Sequence, residues 1–140
     1  MISFSQFLTE IKNISGHQQS HKDVSDAKTE LRTRVGGRIK DLSHIESKLD
    51  SFKKPHKTER IPIELIDVLH HEANKNGKKY SKNPIIAMKN GQNRFHVLDG
   101  NHRVNEHKKL GHTHIESSVV KPKWTQTSKY THHSSGELEE

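Results

Sequence analysis

Five consecutive residues, Asp99-Gly100-Asn101-His102-Arg103, form the strongest functional signal in the chain. They follow a short apolar run at 95–98 and precede a polar segment that reaches Leu110-Gly111. This order predicts a strand, a tight turn, a helix and a glycine at the helix C-terminus. The first N–H groups of a helix have no intrahelical partner and favour an anion. The motif therefore predicts a phosphate-binding turn.

Each residue type of this motif suits phosphate chemistry. Gly100 lets backbone approach a phosphate closely, and the Arg103 guanidinium can bind two phosphate oxygens. His102 can donate to phosphate or act as a general acid. Asp99 can bind a divalent metal such as Mg²⁺ or Mn²⁺, or orient His102 or an attacking water. An ordinary turn in which Asp99 caps the helix explains the same residues without a ligand.

The composition indicates one small domain with polar appendages. The chain has 140 residues, of which 28% are hydrophobic, and a formal net charge of +7. A basic balance suits contact with DNA or another polyanion, although a solvated basic surface is a common alternative. The absence of cysteine excludes disulfides, thiolate metal sites and thiol catalysis. No apolar run is long enough for a membrane span and no signal peptide is recognisable, so we expect a soluble protein that makes no membrane contact.

The second half of the chain alternates strand and helix patterns. We predict a short strand at 61–63, a helix from Ile63 to about Ala73, a buried strand at 84–88 and a hairpin turn at 90–93. A strand at 94–98, the helix after Gly100 and a strand at 114–120 complete this part. Residues 121–140 are polar and end in acidic side chains, which predicts a loosely ordered tail.

The first half of the chain reads as helical and basic. Apolar side chains recur at helical spacing from Val24 to Leu49, and Gly36-Gly37 interrupts them. This predicts two helices, about 25–35 and 38–50, with Ser25 among the candidate N-caps. Four basic residues surround the glycines, and they are candidate phosphate-backbone contacts or a solvated helix face: Arg32, Arg34, Arg38 and Lys40.

Thirteen histidines invite a metal interpretation. The pairs His70-His71 and His132-His133, and His112 with His114, are close in sequence, but none supplies a complete ligand set at characteristic spacing. We therefore expect mostly surface histidines and no zinc site. A weak metal contact by His112 or His114 beside the motif is a minor alternative.

Residues 60–120 resemble the ParB/sulfiredoxin superfamily. The resemblance rests on the lead-in at 61–66, on the strand and hairpin at 84–98, and on Asp99-Gly100-Asn101-His102-Arg103 with Leu110-Gly111 at the matching distance. The Asp-Gly-x-His-Arg form is similar to phage proteins called ParB-like nucleases and to a kinase branch that phosphorylates free serine. The resemblance implies an α/β (α+β) fold with a small mixed sheet at 58–122. It also implies phosphate or nucleotide binding by Gly100, Asn101, His102 and Arg103, and catalysis by Asp99, His102 and Arg103.

Several positions depart from that superfamily. Asn101 stands where sulfiredoxins carry their catalytic cysteine, which excludes their sulfinic acid chemistry. The chain after Val120 is too short for the helix-turn-helix domain of DNA-clamping ParB proteins. Glu106 and His107 replace small alanines that usually pack under the helix.

Residues 1–10 resemble the capsid-targeting peptides of internal head proteins in large tailed bacteriophages. Phe4, Phe7, Leu8 and Ile11 form one apolar helix face, which a helix docked on the domain would also explain. In that class a prohead protease cuts after a Leu/Ile-x-Glu triplet, and Leu8-Thr9-Glu10 fits it. The resemblance implies a propeptide at 1–10, a basic helical arm at 11–57, and a location inside the phage head and then in the host cytoplasm.

Two functions follow as hypotheses. The first is a ParB-like nuclease or phosphate-handling enzyme that uses a divalent metal or a nucleotide and is packaged in the head and delivered with the genome. The second is a noncatalytic internal head protein that binds DNA or a host defence protein. The full motif favours the first, and Glu106 together with the lack of a second carboxylate near the motif favours the second.

Overall fold

The computed structural model describes residues 16–35, 42–67, 83–127 and 130–138, and from 124 onward only their backbone. The predicted propeptide at 1–10, with Leu8 and Glu10, lies outside the described residues, as do Arg38 and Lys40. The described elements, in chain order, are α1 (His21–Val35), α2 (Leu42–Ser51), β1 (Glu59–Pro62), a 3₁₀ turn (Ile63–Leu65), β2 (Ile66–Asp67), β3 (Ile85–Lys89), β4 (Phe95–Asp99), α3 (Asn101–Lys109), β5 (His114–Val120), β6 (Pro122–Thr127) and β7 (Tyr130–Leu138).

Five of the strands form one mixed sheet in the order β1-β5-β3-β4-β2. β3 lies at its centre, parallel to β5 and antiparallel to β4. β1 pairs antiparallel with β5 at one edge, and the short β2 pairs parallel with β4 at the other. The described part of the chain therefore has the predicted α+β class with a mixed sheet.

Apolar side chains cover both faces of this sheet. Along β3, Ile86 and Met88 join the core beneath α1 and α2, whereas Ile85 and Ala87 join the core beneath α3. All four side chains are at most 1% exposed. Successive side chains of a strand point to opposite faces, so β3 belongs to both cores. This burial on both sides explains why the strand predicted at 84–88 has a continuous apolar sequence, because such a strand has no polar face.

The two described helices of the first half, α1 and α2, pack on this domain and do not form a separate arm. Val24, Ala27, Leu31, Ile45 and Leu49 are at most 2% exposed and pack against the sheet in the core that includes Met88. The predicted boundary near 58 is thus no boundary in the packing. Two helices are present as predicted, although the first begins at His21. Ser20 caps it, since its hydroxyl accepts a hydrogen bond from the Asp23 N–H at 3.0 Å, and Ser25 does not cap it.

The hairpin between β3 and β4 confirms the predicted turn at 90–93. The Asn90 side-chain oxygen accepts from the N–H groups of Gln92 and Arg94, at 2.8 and 3.0 Å. Asn93 takes the left-handed conformation, with φ of 59°. An asparagine that bonds to backbone two residues ahead mimics a turn, which fixes the register of the two strands.

Two predicted elements differ from the structure. The helix predicted from Ile63 is wrong over its first residues, where a 3₁₀ turn leads into the strand β2. Pairing of Ile66 with Phe95 supplies the tertiary contact that overrides the helical spacing. The tail predicted to be loose instead contributes β6 and β7, which pair antiparallel. Backbone pairing across this hairpin compensates for its low apolar content.

Candidate functional site

The predicted phosphate-binding turn has the predicted backbone. β4 ends at Asp99, Gly100 precedes the helix with φ of 109°, and α3 begins at Asn101. A Cβ atom on Gly100 would lie 2.6 Å from the Ile85 Cγ2 atom and 3.0 Å from the Arg103 Nε atom. Both the left-handed backbone and this close packing require glycine, so the residue is explained without a ligand.

Arg103 is turned into the domain. Its Nη2 atom donates to the Asp99 carboxylate at 2.5 Å, and its Nη1 atom donates to the backbone oxygens of Asn83 and Pro84, at 2.9 and 3.0 Å. The side chain is 9% exposed. These contacts tie the start of α3 to the segment that leads into β3. Three of the five N–H groups of the guanidinium are used in this way, and its low exposure leaves little of it open to a phosphate.

Asp99 combines burial with this ion pair. Its side chain is 15% exposed. Burial raises the pKa of the carboxyl to about 6, and it outweighs the opposing effect of the Arg103 charge. The negative charges of Asp23 and Asp26 raise that pKa further. Asp99 can therefore exchange a proton close to neutral pH, which is a property of acid–base groups.

The two remaining motif residues differ in exposure. His102 is exposed at the first turn of α3, where it can reach a ligand from solvent. Asn101 is half-buried, and its buried Oδ1 atom accepts no hydrogen bond from the described residues. The motif thus presents His102 outward and holds Asp99 and Arg103 inward.

A polar network that the sequence did not predict continues inward from Arg103. The Gln19 side-chain amide donates to the same Pro84 oxygen at 2.7 Å and to the Ser118 hydroxyl at 3.1 Å. His56 Nε2 lies 2.6 Å from that hydroxyl, and His56 Nδ1 lies 2.8 Å from the Lys54 oxygen. Ser118 is fully buried, so this serine–histidine pair has no access to a substrate and serves the packing.

His17 closes the outer side of this network. Its backbone exchanges two hydrogen bonds with the backbone of His56, at 2.9 and 3.1 Å. Burial lowers the pKa of His17, and the positive charges of His56 and Arg103 lower it further. No sequence pattern signals these contacts, because they join residues about forty to one hundred positions apart.

The predicted nucleic-acid contacts at the basic elbow are engaged within the domain where they are described. Arg32 forms a bidentate ion pair with Glu46, at 3.0 and 2.9 Å, although its side chain is 63% exposed. Arg34 lies 3.0 Å from Glu30 and 3.1 Å from the His96 ring, and its side chain is 13% exposed. Arg32 keeps a solvent-facing surface, whereas Arg34 joins α1 to β4.

An open groove of about 550 Å³ lies beside the C-terminal end of α3. Its polar wall is formed by Arg60, His107, His112, His114 and Glu116. Asn83 and Pro84, whose carbonyls accept from Arg103, also line it. The groove therefore borders the motif at 99–103, because it is lined by the two residues whose carbonyls accept from Arg103.

Two histidines meet in this groove. The Nδ1 atoms of His107 and His112 are 2.9 Å apart. Burial and the nearby His112 lower the pKa of His107, which favours a neutral ring at neutral pH. Within the described ranges, no three His, Cys, Asp or Glu side chains converge as a metal site, and no helix is long and apolar enough to cross a membrane. The predicted metal role of Asp99 stays a prediction.

Comparison with known proteins gives no relative. No family model, curated protein or solved structure matches the chain.

Proposed function

We propose that this protein binds nucleic acid without cleaving it, through the surface formed by the C-terminal half of α3 and the adjoining groove. The observation that carries the proposal is the inward engagement of Arg103 with Asp99 and two backbone oxygens. Arg103 already joins the start of α3 to the segment before β3, so its guanidinium is poorly placed to stabilise a reacting phosphoryl group. The resemblance of residues 60–120 to the ParB/sulfiredoxin superfamily also supports a phosphate-bearing ligand.

Charge supports a polyanionic ligand for this surface. Lys108 and Lys109 are exposed in the last turn of α3, and the side chain of Arg60 is 71% exposed across the groove. His107 and His112 line the groove together with Arg60, whose Nε atom lies 3.8 Å from the Glu116 carboxylate. Lysine and arginine contacts to phosphates supply most of the sequence-independent affinity for DNA. A duplex backbone could therefore follow this edge of the domain without displacing any internal contact of Arg103.

Salt-dependent DNA binding tests the proposal. Fluorescence anisotropy with a labelled duplex should show binding that weakens as salt rises, because counterions are released from each contacted phosphate. Lys108→Ala with Lys109→Ala should weaken binding and reduce the salt slope by about one for each lysine that no longer meets a phosphate. Lys22→Ala with Lys54→Ala, also at exposed positions, is the matched control and should keep the slope. An equal weakening in both double variants, or no binding at low salt, would refute the assignment of this surface.

Catalysis by the motif is the second candidate, and one observation favours it. The pKa of Asp99 is raised to about 6, so its carboxyl can act as acid or base beside the exposed His102. The expected activity is phosphodiester cleavage with Mg²⁺ or Mn²⁺. Plasmid incubated with each metal should then be cut by the native protein and not by His102→Ala, an exposed substitution that leaves the Arg103 contacts in place. Intact plasmid under all these conditions supports the noncatalytic function.

Packaging in a phage head is part of the proposal and rests on residues 1–10. Cleavage after Glu10 would leave a chain that begins at Ile11. Mass spectrometry of purified virions should find that N-terminus, and an intact Met1 in mature heads would remove the reason for invoking a propeptide.

A further inference from the structure

The C-terminal end of α3 brings two imidazole rings together through its backbone. Gly111 has φ of 81°. Its N–H donates to the Lys108 oxygen at 3.1 Å, and the His112 N–H donates to the His107 oxygen at 3.0 Å. These two bonds define a Schellman motif, in which the side chains at the positions of His107 and His112 commonly make an apolar contact. Here both side chains are histidines, so the backbone holds two nitrogen donors side by side.

The two rings meet through the same type of atom. Their Nδ1 atoms are 2.9 Å apart, their centroids are 5.0 Å apart and their planes are inclined by 60°. This is hydrogen-bond distance, so one ring nitrogen can donate its N–H to the other, and the tautomers decide which ring donates. His112 is exposed and His107 is half-buried, so the pair is accessible from the groove.

We propose that His107 and His112 form a two-histidine site for a divalent transition-metal ion, with copper(II) or nickel(II) preferred over zinc. The ion would replace the N–H proton between the two Nδ1 atoms. The ring that had donated this proton would take one up from solvent at its Nε2 atom, so both imidazoles would stay neutral and no net proton would be released. Each ring would turn slightly, so that its lone pair points at the ion. The site lies in the groove of the proposed nucleic-acid surface, but it does not rest on that function.

The separation of the nitrogens carries the choice of metal. With metal–nitrogen bonds of about 2.0–2.1 Å, two nitrogens 2.9 Å apart subtend an angle of about 90° at the ion. Tetrahedral zinc would require a separation of about 3.3 Å at the same bond length. Right-angled nitrogen ligands are typical of the tetragonal sites of copper(II) and nickel(II). Copper(II) also stands at the top of the general affinity order.

The surroundings allow a partly open coordination sphere. His114 and Glu116 line the same groove, but no third ligand converges on the pair among the described residues. Water, or an oxygen of a bound ligand, would therefore occupy the remaining positions.

Titration of the full chain with copper(II) and nickel(II) tests the site. Isothermal calorimetry near neutral pH should show one equivalent in the native protein that both His107→Ala and His112→Ala lose or weaken by more than about tenfold, since even outer-shell partners of metal ligands contribute about 10- to 100-fold. The copper(II) electron paramagnetic resonance spectrum should show coupling to two imidazole nitrogens at this equivalent and to only one in each variant.

The other histidines of the chain require a matched control. His44→Ala removes an exposed histidine on α2 and should keep the equivalent, the affinity and the two-nitrogen spectrum. Metal-free circular dichroism melts show whether each variant is folded. Unchanged binding in either of the two groove variants, or an equal loss in His44→Ala, would overturn the site. Tighter binding of zinc than of nickel at this equivalent would overturn the geometric assignment.

Discussion

The two ends of the nine-residue helix α3 differ in what the sequence signals there. The N-terminal end carries a recognisable phosphate-binding motif, whereas the C-terminal end carries a histidine pair. At the N-terminal end, Asp99 and Arg103 have types and spacing typical of phosphate chemistry, yet they bond to each other and to buried backbone. At the C-terminal end, His107 and His112 belong to no motif, yet they meet in an open groove. A motif specifies residue types, whereas exposure decides whether their donors are available to a ligand.

Removal of Arg103 should produce the largest loss of stability. A smaller loss than at the other end of α3 would contradict the comparison. Arg103→Ala leaves the Asp99 carboxyl and the Asn83 oxygen without this donor, whereas the Pro84 oxygen keeps its bond from Gln19. Breaking a buried ion pair on one side costs about 3–5 kcal/mol. The free energy of unfolding should fall by that amount in urea titrations. A variant as stable as the native protein would show that this end of α3 is not a structural junction.

A double substitution separates the loss of the pair from the burial of an unpaired group. Arg103→Ala combined with Asp99→Ala removes both charges, so it should be more stable than Arg103→Ala alone. Purely additive losses would mean that the two side chains do not interact.

The pH dependence of stability should show the effect of the raised pKa of Asp99. Its folded pKa, about 6, is above its ordinary value of 3.8. The folded state therefore binds a proton more tightly, and this group's contribution to stability is fully present below about pH 3.8 and is lost as pH rises through about 6.

In Asp99→Asn the side-chain amide does not titrate, so this position no longer contributes to the pH dependence of the unfolding free energy. The difference in unfolding free energy, variant minus native, should therefore increase as pH rises from about 4 to about 7. Urea unfolding of both proteins across that interval measures it, and effects of His17 and other groups common to both cancel. A difference that is constant with pH contradicts the raised pKa.

The smallest effect is expected at the other end of α3. His107→Ala and His112→Ala remove rings that face an open groove, and such surface changes usually alter stability by less than about 0.5 kcal/mol. Thermal melts without metal should nearly coincide with that of the native protein. A loss similar to that of Arg103→Ala would make the histidine pair a structural junction too, and the contrast between the two ends would vanish.

The sequence predicted the central elements because their signals are local. The apolar run of β3, the Asn90 turn, β4, Gly100 and the helix that follows are all where the pattern places them. The helix predicted from Ile63 is wrong since pairing with β4 overrides its spacing. The docking of α1 and α2 on the sheet was missed, because their polar surface suggested an arm and their apolar faces do not reveal a partner.

Residue types at the candidate site were predictable, and their surroundings were not. The position of Asp99, Gly100 and Arg103 at a strand-to-helix turn follows from five adjacent residues. The orientation of Arg103 depends on Asn83 and Pro84, about twenty residues earlier in the chain. His107 and His112 had a usable sequence signal: two histidines five residues apart, with a glycine between them near a helix end. The Schellman motif brings these two side chains together in space.

The two-sided burial of β3 has a consequence for how the domain loses its structure. Ile85 and Ala87 anchor one core and Ile86 and Met88 the other, so a single strand joins the two layers. A fluctuation that lifts β3 exposes apolar surface on both sides at once, and neither layer can open fully while the other stays closed. We therefore expect the two layers to unfold as one cooperative unit, with the slowest amide exchange in the strand that they share.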